Sequence, residues 1–144
     1  LTGTFRGARD AAHDDMAETD PSSQLQAATP TPVAKLSPDI QDPATRVVRG
    51  VVTIVWPYSA FKGTTAFILA EADFRLRRDQ GQVRVELSGP SAKAFSEAAI
   101  AGGDEVALSL DGVAWADKDT KTPIAGSPLP WQLRFKQRLL LQAC

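Results

Sequence analysis

An all-β fold with a single short helix is predicted by three observations. Apolar residues recur with a period of two in several stretches separated by turn-forming residues. Only "GPSAKAFSEAAI" combines a proline start with apolar residues (Ala92, Phe95, Ala99) at helical spacing. The first alternating stretch, "RVVRGVVTIVW", is long and interrupted by Gly50, the residue type that marks a bulge or sharp bend inside a strand.

The elements follow in order from Arg46. "RVVRGVVTIVW" is the first strand, and Trp56 is in phase with Val52 and Ile54, which places it at the core or the rim. Past Pro57 comes a loop with Tyr58, Phe61 and Lys62. "TTAFILAEA" is the second strand. "EADFRLRRDQG" links it to the third, with Phe74 and Leu76 alternating with Arg75 and Arg77. "QVRVELSG" puts Val83, Val85 and Leu87 on one face and Arg84 and Glu86 on the other. The helix follows, and "GGDEVALSLDG" is a fourth strand. A Pro- and Gly-containing loop over 112–128 leads to "PWQLRFKQRLLLQ", where Trp131, Leu133 and Phe135 alternate with Gln132, Arg134 and Lys136. Three strands, a helix and two strands is the order of the OB-fold, a five-stranded Greek-key barrel. An SH3-like barrel lacks the inserted helix, and a ferredoxin-like fold needs two.

Length and charge set the bounds. A chain of 144 residues supports one domain with a substantial core and is too short for two. Residues 1–45 hold 3 basic and 7 acidic side chains and five of the ten prolines, whereas residues 46–144 hold 13 basic and 10 acidic. The reading is a flexible acidic tail over 1–35 and a mildly basic OB domain over 36–144, with Leu36 and Ile40 starting the fold. His13 falls in the tail, where "RDAAHDDMAE" is at most a transient helix. One cysteine, Cys144, excludes an intrachain disulfide. No apolar run approaches the ~20 residues of a membrane helix, so no membrane partner is expected and the chain reads as a soluble intracellular fragment.

Enzymatic readings fail early. The folded part has no histidine for a catalytic triad, no His/Cys metal cage, and no GxxxxGK[ST] phosphate loop. No metal and no cofactor are therefore expected. What remains is a binding surface. An OB barrel carries its ligand across strands 2 and 3, between the loop joining strands 1 and 2 and the loop joining strands 4 and 5. Those positions hold Tyr58, Phe61 and Lys62 in the first loop. Phe74, Arg75, Arg77 and Arg78 lie between strands 2 and 3, with Arg84 on strand 3. Trp115, Lys118 and Lys121 occupy the fourth loop, and Arg134 and Lys136 the last strand. Cations neutralise phosphates while exposed rings stack on unpaired bases, at about 1–3 kcal/mol per base. Each residue also has a purely structural reading: Phe74 as core, Trp115 as a staple for its loop, the arginines as a solvated face.

With those residues placed, "VRGVVTIVWPYS", "FILAEADFRLRRDQGQVRVELSG", "GDEVALSLDGVAW" and "PWQLRFKQRLLLQ", spanning 46–142, resemble the telomeric single-stranded-DNA-binding OB domains of the protection-of-telomeres and telomere end-binding type, in their fungal form. The resemblance implies a non-enzymatic, nuclear role in chromosome-end protection, holding the G-rich 3′ overhang at telomeres, with other telomere-capping subunits as partners. The modest net charge leaves a second expectation: an OB module for protein–protein contact or self-association within such a complex.

Overall fold

The computed structural model describes residues 3–6, 27–77, 80–117, 129–136 and 139–143. Among the described residues, nine strands and two α-helices run in the order β1 (Gly3–Arg6), β2 (Thr29–Pro30), β3 (Arg46–Ser59), β4 (Thr64–Ala70), α1 (Phe74–Arg77), β5 (Gln82–Ser88), α2 (Pro90–Glu97), β6 (Glu105–Ser109), β7 (Ala114–Asp117), β8 (Trp131–Phe135) and β9 (Leu140–Ala143). Short 3-10 turns at Val33–Lys35 and Pro43–Thr45 precede β3.

The strands form one sheet in the order β1-β9-β6-β3-β4-β5-β8-β7, with β2 beside β3. The fold is therefore mostly β, as expected, but the pairing traces an open path of eight strands where a ring of five was expected. The extra strands come from segments read as tail or loop (β1, β2, β7) and from the last stretch, which supplies two strands, β8 and β9, where one was expected. Its first part, β8, runs parallel to β5, and its second, β9, runs antiparallel to β6.

The 14 residues of β3 serve two neighbours, β6 through residues 47–51 and β4 through residues 51–59. Gly50 sits where the strand passes from one to the other. A Cβ there would lie 2.5 Å from the Ala70 carbonyl oxygen, so only glycine lets the end of β4 approach so closely.

Inward residues build one interior: Val48, Val52, Phe67, Leu69, Val83, Val85, Leu87, Val106, Leu108, Leu133 and Phe135 are all buried. The helix α2 closes this interior with Ala92 and Phe95, the Phe95 ring stacking on Phe67 at 4.9 Å. Buried Ser91 fastens the helix start by donating its hydroxyl to the carbonyls of Ser88 and Phe135, both at 2.9 Å.

The packed unit begins well before residue 36. Val33 is fully buried, and its N–H donates to Glu71 Oε2 at 2.8 Å. Leu36 is also buried, and its carbonyl accepts the Trp131 indole N–H at 2.8 Å. Thr29–Pro30 pair with the start of β3, and Gly3–Arg6 with β9. Burying an apolar side chain is worth about 1.5–3 kcal/mol, enough for Val33 and Leu36 to order a Pro-rich stretch whose composition alone reads as tail. His13 and the proposed helix around it lie outside the described residues, as do Arg78, Lys118, Lys121 and Cys144.

Candidate nucleic-acid interface

One irregularity decides what the outer face of this sheet presents. Between Val52 and Ile54 the register of β3 against β4 slips by one residue: Val52 faces Leu69, whereas Ile54 faces Ile68. A bulge of this kind resets the alternation of the strand. Val52 and Val55, three apart, both pack on the interior. Ile54 and Trp56 are thereby turned outward. Trp56, placed by its phase with Val52 among core or rim residues, is instead a half-buried residue of the outer face.

From there the register builds two rows across the sheet. One runs Trp56, Ala66, Glu86, Arg134, Ala114, each the direct partner of the next. The other runs Ile54, Ile68, Arg84, followed by Gln132, which pairs with Ala116. Ile68 is buried although it lies outside the interior cluster, as expected for a residue covered from the outer side.

The two rows meet in a polar cluster. The Arg84 guanidinium stands over the Trp56 ring at 5.3 Å. Its Nη1 donates to Glu86 Oε2 at 3.0 Å and to Gln132 Oε1 at 2.6 Å. The other Glu86 oxygen accepts from Arg134 Nε at 3.2 Å. Gln132 is buried and donates its amide to the Asp117 carbonyl at 2.9 Å, which fixes the direction of its oxygen. The Arg84 side chain is only 16% exposed. Arg84 was expected as a solvent-facing groove cation; it is the most enclosed arginine of this face.

The expected aromatics flank the cluster at the two ends of the β4–β5 pair. At one end is the β3–β4 turn, where Ser59 holds the loop: its Oγ accepts the Lys62 N–H at 3.2 Å and its carbonyl the Gly63 N–H at 2.6 Å. Gly63, at φ +67°, turns the chain back into β4. This leaves Phe61 98% exposed, with exposed Lys62 beside it and Tyr58 36% exposed at the strand end.

At the other end is α1. "DFRLR" folds as one helical turn instead of continuing the strand, because Asp73 Oδ1 accepts the Arg75 backbone N–H at 2.9 Å in the manner of a helix cap. Phe74 and Leu76 are consequently both exposed, Phe74 at 76%, and neither is core. Arg75 forms a two-point pair with the Asp73 carboxylate at 3.0 and 3.2 Å, and that pair together with the backbone N–H holds the Asp73 carboxyl below the usual carboxylate range. Arg77 lies over the Phe74 ring at 4.0 Å and donates to the Glu71 carbonyl at 2.6 Å. The length of β4 separates the two ends by roughly 20 Å.

Two expected residues stand apart. Trp115, on β7 opposite Leu133, is half-buried against the interior and so anchors its strand. Lys136 is exposed beyond the end of β8, next to the start of α2, where its carbonyl accepts the Ser91 N–H at 3.4 Å. Reading along the strands missed Trp56, Ile54 and Gln132. The alternation of "WQLRF" does place Gln132 beside Arg134 on one face, but the parallel pairing that sets Arg134 against Glu86 has no local sequence signal. Among the described residues no group of His, Cys, Asp and Glu is placed to hold a metal ion, and no helix is long and apolar enough to cross a membrane.

Comparison with known proteins adds three findings. The family described as "Domain of unknown function (DUF8502)" matches residues 26–144. No curated protein matches the sequence. Among solved structures, the crystal structure of a "putative aspartyl-tRNA synthetase from Leishmania major Friedlin" superimposes with a TM-score of 0.52 at 18% identity, over 85% of this chain and 22% of that one. The chain thus spans about a fifth of the length of the structure it matches, and the likeness is one of fold.

Proposed function

We propose that this chain, which belongs to the DUF8502 family, is a non-enzymatic OB-type domain that binds single-stranded nucleic acid along the outer face of β3, β4, β5 and β8. In this reading β3, β4, β5 and β6 are the first four strands of a Greek-key barrel. The fifth is split into β8 and β9, so that one piece joins β5 and the other joins β6. The fold likeness to a segment of a protein named for a tRNA substrate is compatible with such a face. G-rich DNA of a chromosome end, held in the nucleus, is the ligand that the telomeric resemblance implies.

The observation that carries the reading is the placement of rings and cations. Phe61 beside Lys62 and Phe74 beneath Arg77 are exposed at opposite ends of one strand pair, and an arginine-rich cluster lies between them. Exposed phenyl rings beside cations serve stacking and phosphate contact without base-specific readout. A fluorescence titration with G-rich, C-rich and duplex oligonucleotides at two salt concentrations tests it. Saturable binding of a single strand, weakening with salt, is the expected result; equal or better binding of duplex, or none at low salt, ends the reading.

A second reading is favoured by a different observation. Arg75, Arg84 and Arg134 each already have a carboxylate partner, while Ile54, Phe61, Phe74 and Leu76 are exposed apolar side chains. A face whose charges are internally paired and whose rings are bare also suits a protein partner within a telomere-capping complex, or a second copy. Sedimentation across a wide concentration range tests self-association, and a strict monomer removes that form of the reading.

A further inference from the structure

We infer that Glu86 is a built-in anion: the Arg84–Arg134 pair is a phosphate-binding site whose place between two guanidinium groups is filled by the Glu86 carboxylate until a phosphodiester displaces it. The identity of the anion rests on the strand-binding reading above; the site itself does not.

The geometry is the first argument. Glu86 spends one oxygen on Arg84 at 3.0 Å and the other on Arg134 at 3.2 Å, spanning two neighbouring strands through the direct pairing of Glu86 with Arg134. Two guanidinium groups converging on two oxygens of one anion is the arrangement that phosphate and carboxylate share. Charge is the second argument, since two guanidinium groups and one carboxylate leave the cluster with one uncompensated positive charge. Hydrogen bonding is the third. Arg84 Nη1 donates to both Glu86 and Gln132, so the Gln132 bond holds the guanidinium while the donor that Glu86 vacates meets an oxygen of the incoming anion.

Position links the cluster to the ligand. A strand stretched from Phe61 to Phe74 crosses the middle of β4–β5, where Arg84 and Glu86 lie. The exchange is feasible because partly exposed ion pairs hold weakly; Glu86 and Arg134 are both solvent-accessible, and Gln132 keeps Arg84 in place when the carboxylate swings away. An exchange of one anion for another also leaves the free protein's net charge modest.

The test is Glu86→Gln, an isosteric change, compared with the unaltered chain in two assays. In the first, melting is followed with inorganic phosphate against chloride at equal ionic strength. In the second, a short G-rich oligodeoxynucleotide is titrated at several salt concentrations. The variant is expected to gain more stabilisation by phosphate than the unaltered chain, to bind the oligonucleotide about two- to fivefold more tightly at low salt, and to keep the slope of log K against log salt, since both chains place one phosphate there.

Phosphate stabilisation of the variant without any oligonucleotide binding keeps the anion site and overturns the strand reading. Oligonucleotide binding that is unchanged or weaker in the variant, with no phosphate effect, overturns the anion site and leaves the strand reading standing. Should Glu86→Gln fail to fold, exposed Arg134→Gln decides: it must flatten the salt slope by about 0.7, and an unchanged slope overturns the site.

Discussion

The two faces of β3, β4, β5 and β8 are built from the same strands and differ in almost every other respect. The inner face is apolar and continuous: Val52, Phe67, Leu69, Val83, Val85, Leu87, Leu133 and Phe135 form one buried cluster with the stacked Phe95. The outer face changes character across its width. It is apolar at Ile54, Trp56, Ala66 and Ile68, ionic at Arg84, Glu86 and Arg134, and small at Ala114 and Ala116. The inner face needs only volume and hydrophobicity. The outer face needs particular residues opposite one another, and the bulge and the parallel register supply that juxtaposition. Stability is therefore expected to reside on one side of the sheet and recognition on the other.

The largest effect that sharpens this contrast is on folding. Phe67→Ala removes a buried ring stacked on Phe95 and is expected to cost about 3–5 kcal/mol. Trp56→Ala removes a larger side chain from the outer face, where it loses partial burial and a cation–π contact worth about 0.5–1 kcal/mol, and is expected to cost less than half as much. Urea denaturation of both variants reads the difference. A Trp56→Ala loss equal to that of Phe67→Ala would place the indole in the interior and cancel the assignment of the outer face.

The same contrast explains how much of the molecule is legible from its sequence. The alternation in "QVRVELS" assigns every inner residue of β5, because a strand with one buried face reports that face every second residue. The same rule fails for Trp56, since a bulge inserts one residue without a residue type that betrays it; Thr53 is an ordinary strand former. It also fails for "DFRLR", where period two and a helical turn compete over a few residues and the Asp73 cap decides for the helix. Glycine at position 50 signals the bend of β3, yet the reason glycine is required, the approach of the Ala70 carbonyl, is a tertiary fact. Leu36 is legible as the start of the fold and is buried, whereas Val33 lies in a Pro-containing stretch that composition reads as tail, and only its burial reveals it as core. Of the candidate site, residue types were readable from the chain; the pairing of Glu86 with two arginines was not.

The next effect is on binding and leaves folding alone. Phe61→Ala and Phe74→Ala each remove a ring whose faces are open, so each is expected to change unfolding free energy by less than about 0.5 kcal/mol. Each should weaken single-strand binding by about 1–3 kcal/mol if its ring stacks on a base. The two ends should not be equal. Arg77 already covers one side of the Phe74 ring at 4.0 Å, whereas Phe61 has both sides free. Phe61→Ala is expected to be the more damaging in an oligonucleotide titration. Equal losses would mean that Arg77 moves off the ring on binding, and no loss at either position would transfer the outer face to a protein partner.

The smallest effect concerns the cap at the edge of the outer face and separates charge from hydrogen bonding. Asp73 serves α1 both as an acceptor for the Arg75 backbone N–H and as the counter-ion of the Arg75 guanidinium, and both contacts lower its pKa from 3.8. A carboxylate with a depressed folded-state pKa contributes stability that is fully present above its unfolded pKa and is lost as pH falls through the folded value. Asp73→Asn keeps an equally good cap, because the amide oxygen still accepts the backbone N–H, and removes only the ion pair. The unaltered chain is therefore expected to be slightly the more stable at neutral pH, and the advantage should fade as pH falls below 3.8, read by chemical denaturation across the acid range. A difference that persists into strong acid would assign the contribution of Asp73 to hydrogen-bond geometry, since protonation would have removed the charge without removing the effect.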